Sequence, residues 1–259
     1  MSSPVLRHYG IAPGVTAFST TRRGGCSTGS YGAFNVNPFC GDDPAAVDRN
    51  RAALCSALGI DEGRLIMPRQ THGIAVRMVA GDLLTVSAAT RAMLLDGVDA
   101  LITDLAGVCI GVSTADCIPV LLYDGEHHAC AAVHAGWRGT VGRIVAKTVE
   151  QMALSYGTRP AALRACIGPG ISAARFEVGD EVYDAFAAAG FPMDRIGCRH
   201  DKWHIDLWAC NAMQLEEAGV PHGNIHIDGT CTYDNSGEFF SARRLGPASG
   251  RILTGIMLR

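Results

Sequence analysis

The stretch GVCIGVSTADCIPVLLYDGEHHACAAVHAGWRGT, Gly107 to Thr140, decides how this chain is read. It holds two apolar, β-rich runs, Ile118 to Tyr123 and Ala129 to His134, parted by Asp124, Gly125 and Glu126. Turn-forming residues between two such runs mark a β-hairpin. With Tyr123 set opposite Ala129, paired positions sum to a constant, so Ile118 faces His134 and Cys117 lies about one residue from that pair. Directly opposed residues have Cβ atoms roughly 4.5–5.5 Å apart, a gap that a thiolate and an imidazole bridge through one metal ion or a shared proton. Polar, glycine-rich turns end both strands there, so the pair is expected at a sheet edge, open to a ligand.

Upstream, Val15 to Thr20 reads as a strand and leads into TTRRGGCSTGSYGAFN, Thr20 to Asn35. The backbone amides of this loop, with Arg22 and Arg23, suit an anion-binding nest. It lacks the GxxxxGK[ST] and GxGxxG spacings, and a purely structural loop reads the same way. From Asp43 a helix is expected, with Asp43 as N-cap, Pro44 at its first position, Val47, Arg51, Leu54 and Leu58 on one stripe, and Gly59 as its stop. RLIMPRQTHGIAVRMV, Arg64 to Val79, predicts two short strands broken at Gln70, Thr71, His72 and Gly73. DGVDALITD, Asp96 to Asp104, predicts the strand leading into the hairpin.

Downstream, Thr140 is expected to cap a helix that buries Val141, Ile144, Val145, Val149 and Met152, its positive end directed at Cys117 and His134. Ala165 to Ile171 predicts a strand entering a Gly-Pro-Gly turn, and Gly179 to Ala189 and Asp206 to Ala218 predict helices. Asn224 to Thr232, Phe239 to Ala242 and Arg251 to Leu258 predict the last strands. Helices and strands alternate, but the hairpins exclude a purely parallel sheet, so the expected fold is α/β, with mixed sheets packed between helices in a single domain spanning 1–259.

Composition narrows the function. Of 259 residues, 48% are hydrophobic and 18% charged, and a net charge of -3 gives no reason to expect nucleic acid or an anionic membrane as partner. The partner is expected to be a small molecule. Ten cysteines without a CxxC spacing, in a chain long enough for its own core, read as reduced thiols. MSSPVLRHYG has the features of neither a signal peptide nor a membrane anchor, and a cytoplasmic location is expected.

The Cys117 and His134 pair admits three readings: a small buried thiol beside a satisfied strand-end histidine, a thiol nucleophile with a histidine base, or a divalent metal bound by one thiolate and two imidazoles. Spacing does not separate the last two. A third ligand has to come from elsewhere, and His72, in a tight polar turn after a strand, is the best placed.

ADCIPV (Ala115 to Val120), HAGWRGT (His134 to Thr140) and QTHG (Gln70 to Gly73) together resemble the signature of the YfiH-type laccase-domain family, also called the polyphenol-oxidase family. CIGPGI, FEVGDEV, the RGGCSTGSYGAFN loop, CTY and FFSARR follow in the family's order. The resemblance implies an α/β/β/α layered fold, a cytoplasmic location, and His72, Cys117 and His134 as a metal triad holding zinc, in some reports copper. It also implies phosphorolysis of adenosine, inosine, guanosine and methylthioadenosine, and hydrolytic deamination of adenosine. A purine nucleoside and phosphate would then be the ligands. Gln70 and Asn35 match substrate-site positions, Arg138 is the first candidate to position phosphate, and Arg22 is the second. Asp116 would orient a ligand, transfer a proton or cap its turn.

The chain departs from the family in having Ala242 before Arg243 and Arg244, where an aromatic residue or histidine is common, and FNVNPFCGDD in place of a leucine-rich loop. It contains no His-x-His, the pattern that a three-copper oxidase centre needs. Alternatives to the nucleoside reading are a Cys117 hydrolase acting in peptidoglycan precursor editing, a copper-dependent polyphenol oxidase, and a metal site that only ties the hairpin to the His72 turn.

Overall fold

Residues on both faces of the central hairpin are apolar, and a strand can bury both faces only between two other layers. That is where the hairpin lies: every residue of its strands is buried. The computed structural model describes residues 3–259. Their strands are β1 (Leu6–Tyr9), β2 (Val15–Thr20), β3 (Leu65–Ile66), β4 (Val76–Met78), β5 (Ala100–Thr103), β6 (Cys109–Thr114), β7 (Ile118–Asp124), β8 (Ala129–Ala135), β9 (Leu163–Ile167), β10 (Glu177–Val178), β11 (Gly197–Arg199), β12 (Trp203–Ile205), β13 (Ile225–Ile227) and β14 (Ile252–Leu258).

A six-stranded sheet has the order β13-β9-β7-β8-β5-β4, a five-stranded sheet the order β1-β2-β14-β6-β3, and β10, β12 and β11 form a small third sheet. The larger sheets are antiparallel at their centres and parallel at edges, where β13 joins β9, β4 joins β5 and β3 joins β6. Alternate side chains sort the layers. Leu101, Leu121 and Ala132 of one sheet meet Ile110, Val112, Ile256 and Leu258 of the other. On the opposite face, Val120, Leu122, Ala131 and Val133 meet the helices Ile144–Tyr156 and Leu207–Glu217 through Val145, Val149, Met152 and Cys210. Beyond the five-stranded sheet, Phe18, Leu253 and Met257 cover Leu54, Cys55 and Leu58 of the helix Pro44–Leu58. The order of layers is therefore α/β/β/α, as the resemblance implied.

Local chemistry explains the ends of the elements. Asp43 accepts a hydrogen bond from the Ala45 amide and Pro44 opens the helix, while Gly59, at φ 69°, returns its amide to the Cys55 and Ser56 carbonyls. Asp206 likewise caps Leu207–Glu217 through the Ala209 amide.

Three expectations need correction. The hairpin register is shifted by one: Tyr123 faces Cys130, Ile118 faces Ala135, and Pro119 stands opposite His134. Asp124 belongs to β7 because its buried carboxylate accepts from the Glu126 and His127 amides, so the turn starts one residue later. Thr140 is no helix cap. It lies inside the short helix Trp137–Val141, which starts after Gly136, and Arg143 at φ 63° separates that turn from Ile144–Tyr156. Phe239 to Ala242 is no strand either. Phe239 and Phe240 are buried anchors, and Ser241 caps the short helix Ala242–Leu245 by accepting from the Arg244 amide. A short apolar run does not by itself distinguish a strand from a packed loop.

Leu121 is fully buried where the two sheets meet. Leu121→Ala is expected to lower unfolding free energy by about 2–5 kcal/mol in chemical denaturation. A loss of only a few tenths would mean that this face is not a packed interface.

Candidate metal centre

Cys117 sits in the turn between β6 and β7, His134 near the end of β8, and His72 in the loop between β3 and β4. Their ligand atoms all lie within 4.8 Å of one another. The two imidazoles meet edge to face with ring centroids 4.8 Å apart. His134 is buried, Cys117 half-buried and His72 exposed, so the cluster opens outward on one side. It lines a cavity of about 260 Å³ together with Asn37, Phe39, Gln70 and Arg251.

The residue that brings the three together is Asp99, immediately before β5 and fully buried. Its Oδ1 accepts from the His72 amide at 3.0 Å and meets Nδ1 of His134 at 2.7 Å. Its Oδ2 accepts from the amides of Gly73 at 2.8 Å and Thr71 at 3.2 Å. One carboxylate thus fixes both the ring of one histidine and the backbone of the other. With Nδ1 of His134 engaged, Nε2 is the nitrogen left for a metal. His72 has φ 62°, a left-handed conformation that a side-chain-bearing residue adopts at a cost of about 1–2 kcal/mol, which the amide contacts to Asp99 offset.

Neighbouring groups shift the ionisation of Cys117, His134 and Asp99. Burial opposes ionisation of the Cys117 thiol, but the imidazoles of His134 and His72 outweigh it and hold the thiol below its ordinary range. Burial would likewise lower His134, yet Cys117 and the Asp99 carboxylate raise it. For Asp99, burial is overcome by His134 and by the Gly73 and Thr71 amides, which keep the carboxyl low.

The residues present fit a divalent metal on two counts. One sulfur and two imidazole nitrogens are the donors of a borderline-soft ion. The cluster also leaves no room behind it: a Cβ on Gly136 would stand 3.1 Å from both Cys117 Sγ and His72 Cδ2.

Of the substrate and phosphate contacts expected from sequence, only Gln70 lines this cavity. Its side-chain amide is committed, donating to the Ser113 carbonyl at 2.8 Å and accepting from the Ser113 amide at 2.7 Å, which clamps the His72 loop to β6. Asn35 is buried behind the wall, where its Oδ1 accepts from the amides of Asn37 and Arg251. Arg22 donates to the Gly32 and Ser236 carbonyls and lies over Phe240, as a brace of its loop. Arg138 is exposed and stacked on Trp137, 4.2 Å from the ring centroid. Asp116, at φ 93°, accepts from the Thr232 hydroxyl and the Arg243 amide, both at 2.7 Å, and so ties the Cys117 turn to the C-terminal segment. Arg243 itself reaches the Glu177 carbonyl.

Sequence reading missed Asp99, Phe39 and Arg251. For Asp99 a signal was present: a carboxylate inside the apolar run VDALIT has to find partners when buried.

Asp99→Ala removes one side of a buried charge pair and is expected to destabilise the metal-free protein by about 3–5 kcal/mol in chemical denaturation. The pH dependence has a definite sign. Because the folded-state carboxyl is lowered, its contribution is full above the ordinary aspartate value of about 3.9 and disappears as pH falls through the folded value. The stability gap between wild type and Asp99→Asn should accordingly be open at neutral pH and close on acidification. A gap independent of pH would contradict this assignment.

Comparisons with known proteins agree with the fold. Residues 16–259 match the family described as multi-copper polyphenol oxidoreductase laccase. A purine nucleoside phosphorylase of Bacteroides thetaiotaomicron is 49% identical over 94% of this chain and 92% of its own. Adenosine deaminase RL5, from an unknown prokaryotic organism, is 44% identical over 94% of both chains. Among solved structures, YlmD of Geobacillus stearothermophilus aligns with a TM-score of 0.90 at 31% identity, covering 97% of this chain and 94% of that one. The hypothetical protein YfiH of Bacillus licheniformis aligns with a TM-score of 0.89 at 30% identity, over 95% and 93%. By fold, by motif order and by these matches, the chain belongs to the laccase-like, YfiH-type family.

Proposed function

We propose that this protein is a zinc-dependent purine nucleoside phosphorylase that also deaminates adenosine. The observation that carries the reading is the His72, Cys117 and His134 cluster, with ligand atoms within 4.8 Å of one another on the wall of a cavity. The names of the relatives at 49% and 44% identity supply the substrate class.

Cys117, as thiolate, and the two imidazoles would hold the ion, and among the described residues no further histidine, cysteine or carboxylate joins the cluster. A catalytic zinc site keeps such a position for a non-protein ligand. A bound zinc would supply Lewis acidity near neutral pH. The chain's own residues do the positioning. Asp99 holds the proton of His134 on Nδ1, and the Thr71 to Gly73 turn keeps His72 facing its partners. Phe39, 52% exposed on the rim of the same cavity, offers a ring face on which a purine can stack. That ring supplies the aromatic surface missing at Ala242, which also lines the cavity.

A second reading has one observation in its favour. Cys117, His134 and Asp99 also form a thiolate, imidazolium and carboxylate series, the arrangement of a cysteine hydrolase. It predicts activity without metal, on substrates such as amide-containing cell-wall precursors.

Zinc-loaded protein incubated with adenosine is expected to release adenine only when phosphate is present, and inosine with or without it. Both products should vanish in Cys117→Ala. Intact adenosine in the presence of one equivalent of bound zinc would sink the nucleoside reading. Phe39→Ala is expected to raise KM for the nucleoside by about tenfold, the loss of a stacking contact of about 1–3 kcal/mol, with little change in metal content. An unchanged KM would remove Phe39 from the substrate site.

A further inference from the structure

Two amide side chains line the triad cavity, Gln70 and Asn37. Gln70 is engaged at both ends by the Ser113 backbone. Asn37 is engaged at one end only. Its Oδ1 accepts from the Phe39 amide at 2.6 Å, which closes an Asx turn. The same bond assigns the two ends of the amide, since a flipped side chain would set an NH2 group against the Phe39 N–H. Nδ2 is therefore the end that is left over.

That nitrogen donates to no protein group among the described residues. Asn37 is 9% exposed, yet Nδ2 keeps contact with solvent, and the cavity that the residue lines is the triad's. A nearly buried donor without a protein partner calls for a ligand acceptor or water. The backbone around it is fixed. The Asn37 amide donates to Asn35 Oδ1 at 3.2 Å, and its carbonyl accepts from Asn35 Nδ2 and Cys40 Sγ, both at 3.4 Å. Asn35 is itself fully buried. A donor held in this way has little freedom to lose on binding.

Asn37 and Phe39 share one turn, so the free N–H and the exposed ring on the cavity rim come from a single unit. A group that can only donate selects an acceptor. Between adenine and hypoxanthine or guanine the 6-substituent changes from donor to acceptor, and N1 changes in the opposite sense. The ring nitrogens N3 and N7 accept in all three. In phosphorolysis an oxygen of phosphate bonds to C1′ as the bond to N9 breaks, and the electron pair leaves into the purine. A hydrogen bond to a ring nitrogen strengthens as that charge develops.

We propose that Asn37 is a specificity-determining residue of the triad cavity, its Nδ2 donating to a purine ring nitrogen, N7 or N3, of a base stacked on Phe39. The proposal deepens the nucleoside reading and rests on it. A contact at such an atom admits 6-amino and 6-oxo purines alike.

The test deletes the two partners in turn, in zinc-loaded protein. 9-Methylhypoxanthine and its 7-deaza and 3-deaza forms carry no ribosyl bond and no 6-amino group, so they bind without being consumed. By calorimetry, one deaza form should bind wild type about three- to tenfold more weakly than the parent, and it identifies the nitrogen. Asn37→Asp keeps the acceptor for the Phe39 amide and turns the free donor into an acceptor. In this variant the parent should weaken and the deaza penalty should disappear, with zinc content as in wild type. In turnover, kcat/KM for adenosine phosphorolysis should fall about tenfold in Asn37→Asp and in Asn37→Ala. Equal binding of all three ligands by wild type, or a deaza penalty that persists in Asn37→Asp, overturns the contact. If adenosine is cleaved under either of those outcomes, the nucleoside reading stands and only the Asn37 contact falls. If wild type neither binds the purine nor cleaves adenosine, both fall together.

Discussion

The buried carboxylate of Asp99 is the constraint on which the site depends. It is removed from water in the heart of the fold, and it satisfies itself entirely on the two segments that carry histidines. A buried charge without partners would be too costly to keep. The four contacts therefore act in both directions: the carboxylate orders the Thr71 to Gly73 turn and the His134 ring, and these groups keep it ionised. Interactions coupled in this way rise and fall together, which makes the site more rigid than any one contact.

Rigidity matters because the local backbone is strained. His72 and Asp116 both hold left-handed φ values, and each flanks the cavity or its turn. Such conformations persist only where surrounding structure over-determines them. For His72 the support is Asp99 from below and the Gln70 clamp on Ser113 from the side. For Asp116 it is the pair of bonds to Thr232 and the Arg243 amide. The two packed sheets supply the stiff frame, since β6 and β7 belong to different sheets and Cys117 sits in the turn between them.

The family's description speaks of several coppers, whereas the geometry is that of one three-residue cluster. Apart from that cluster, the one other metal-type grouping among the described residues is Asp124, Glu126 and His127. Its carboxylates already serve the hairpin turn and an ion pair with Arg159. One sulfur and two imidazoles suit Lewis-acid chemistry on a polar substrate better than multi-electron oxygen reduction, which needs several coppers held by many histidines.

Much was legible in the sequence because it is local. The hairpin, the capped helix at Asp43 and the alternation of elements follow from runs of side chains and from turn residues, whose preferences act over a few positions. The triad itself came from the resemblance of QTHG, ADCIPV and HAGWRGT to a known family, and not from spacing. The one-residue register shift was not legible, because it follows from where the Asp124 carboxylate finds its amides. Nor was the separation of sites among the arginines. Sequence marked Arg22 and Arg138, and only tertiary packing spends one on carbonyls, lays the other on Trp137 and leaves Arg251 on the cavity wall. By itself, then, the sequence determined the central hairpin, the capped helices and which residue types are available, but not every element, since Phe239 to Ala242 is no strand. The choice of which side chains meet, with which lone pairs and protons still free, belonged to the tertiary structure, because hydrogen-bond partners such as Asp99 and His134 lie 35 positions apart and are set by the packing of whole sheets.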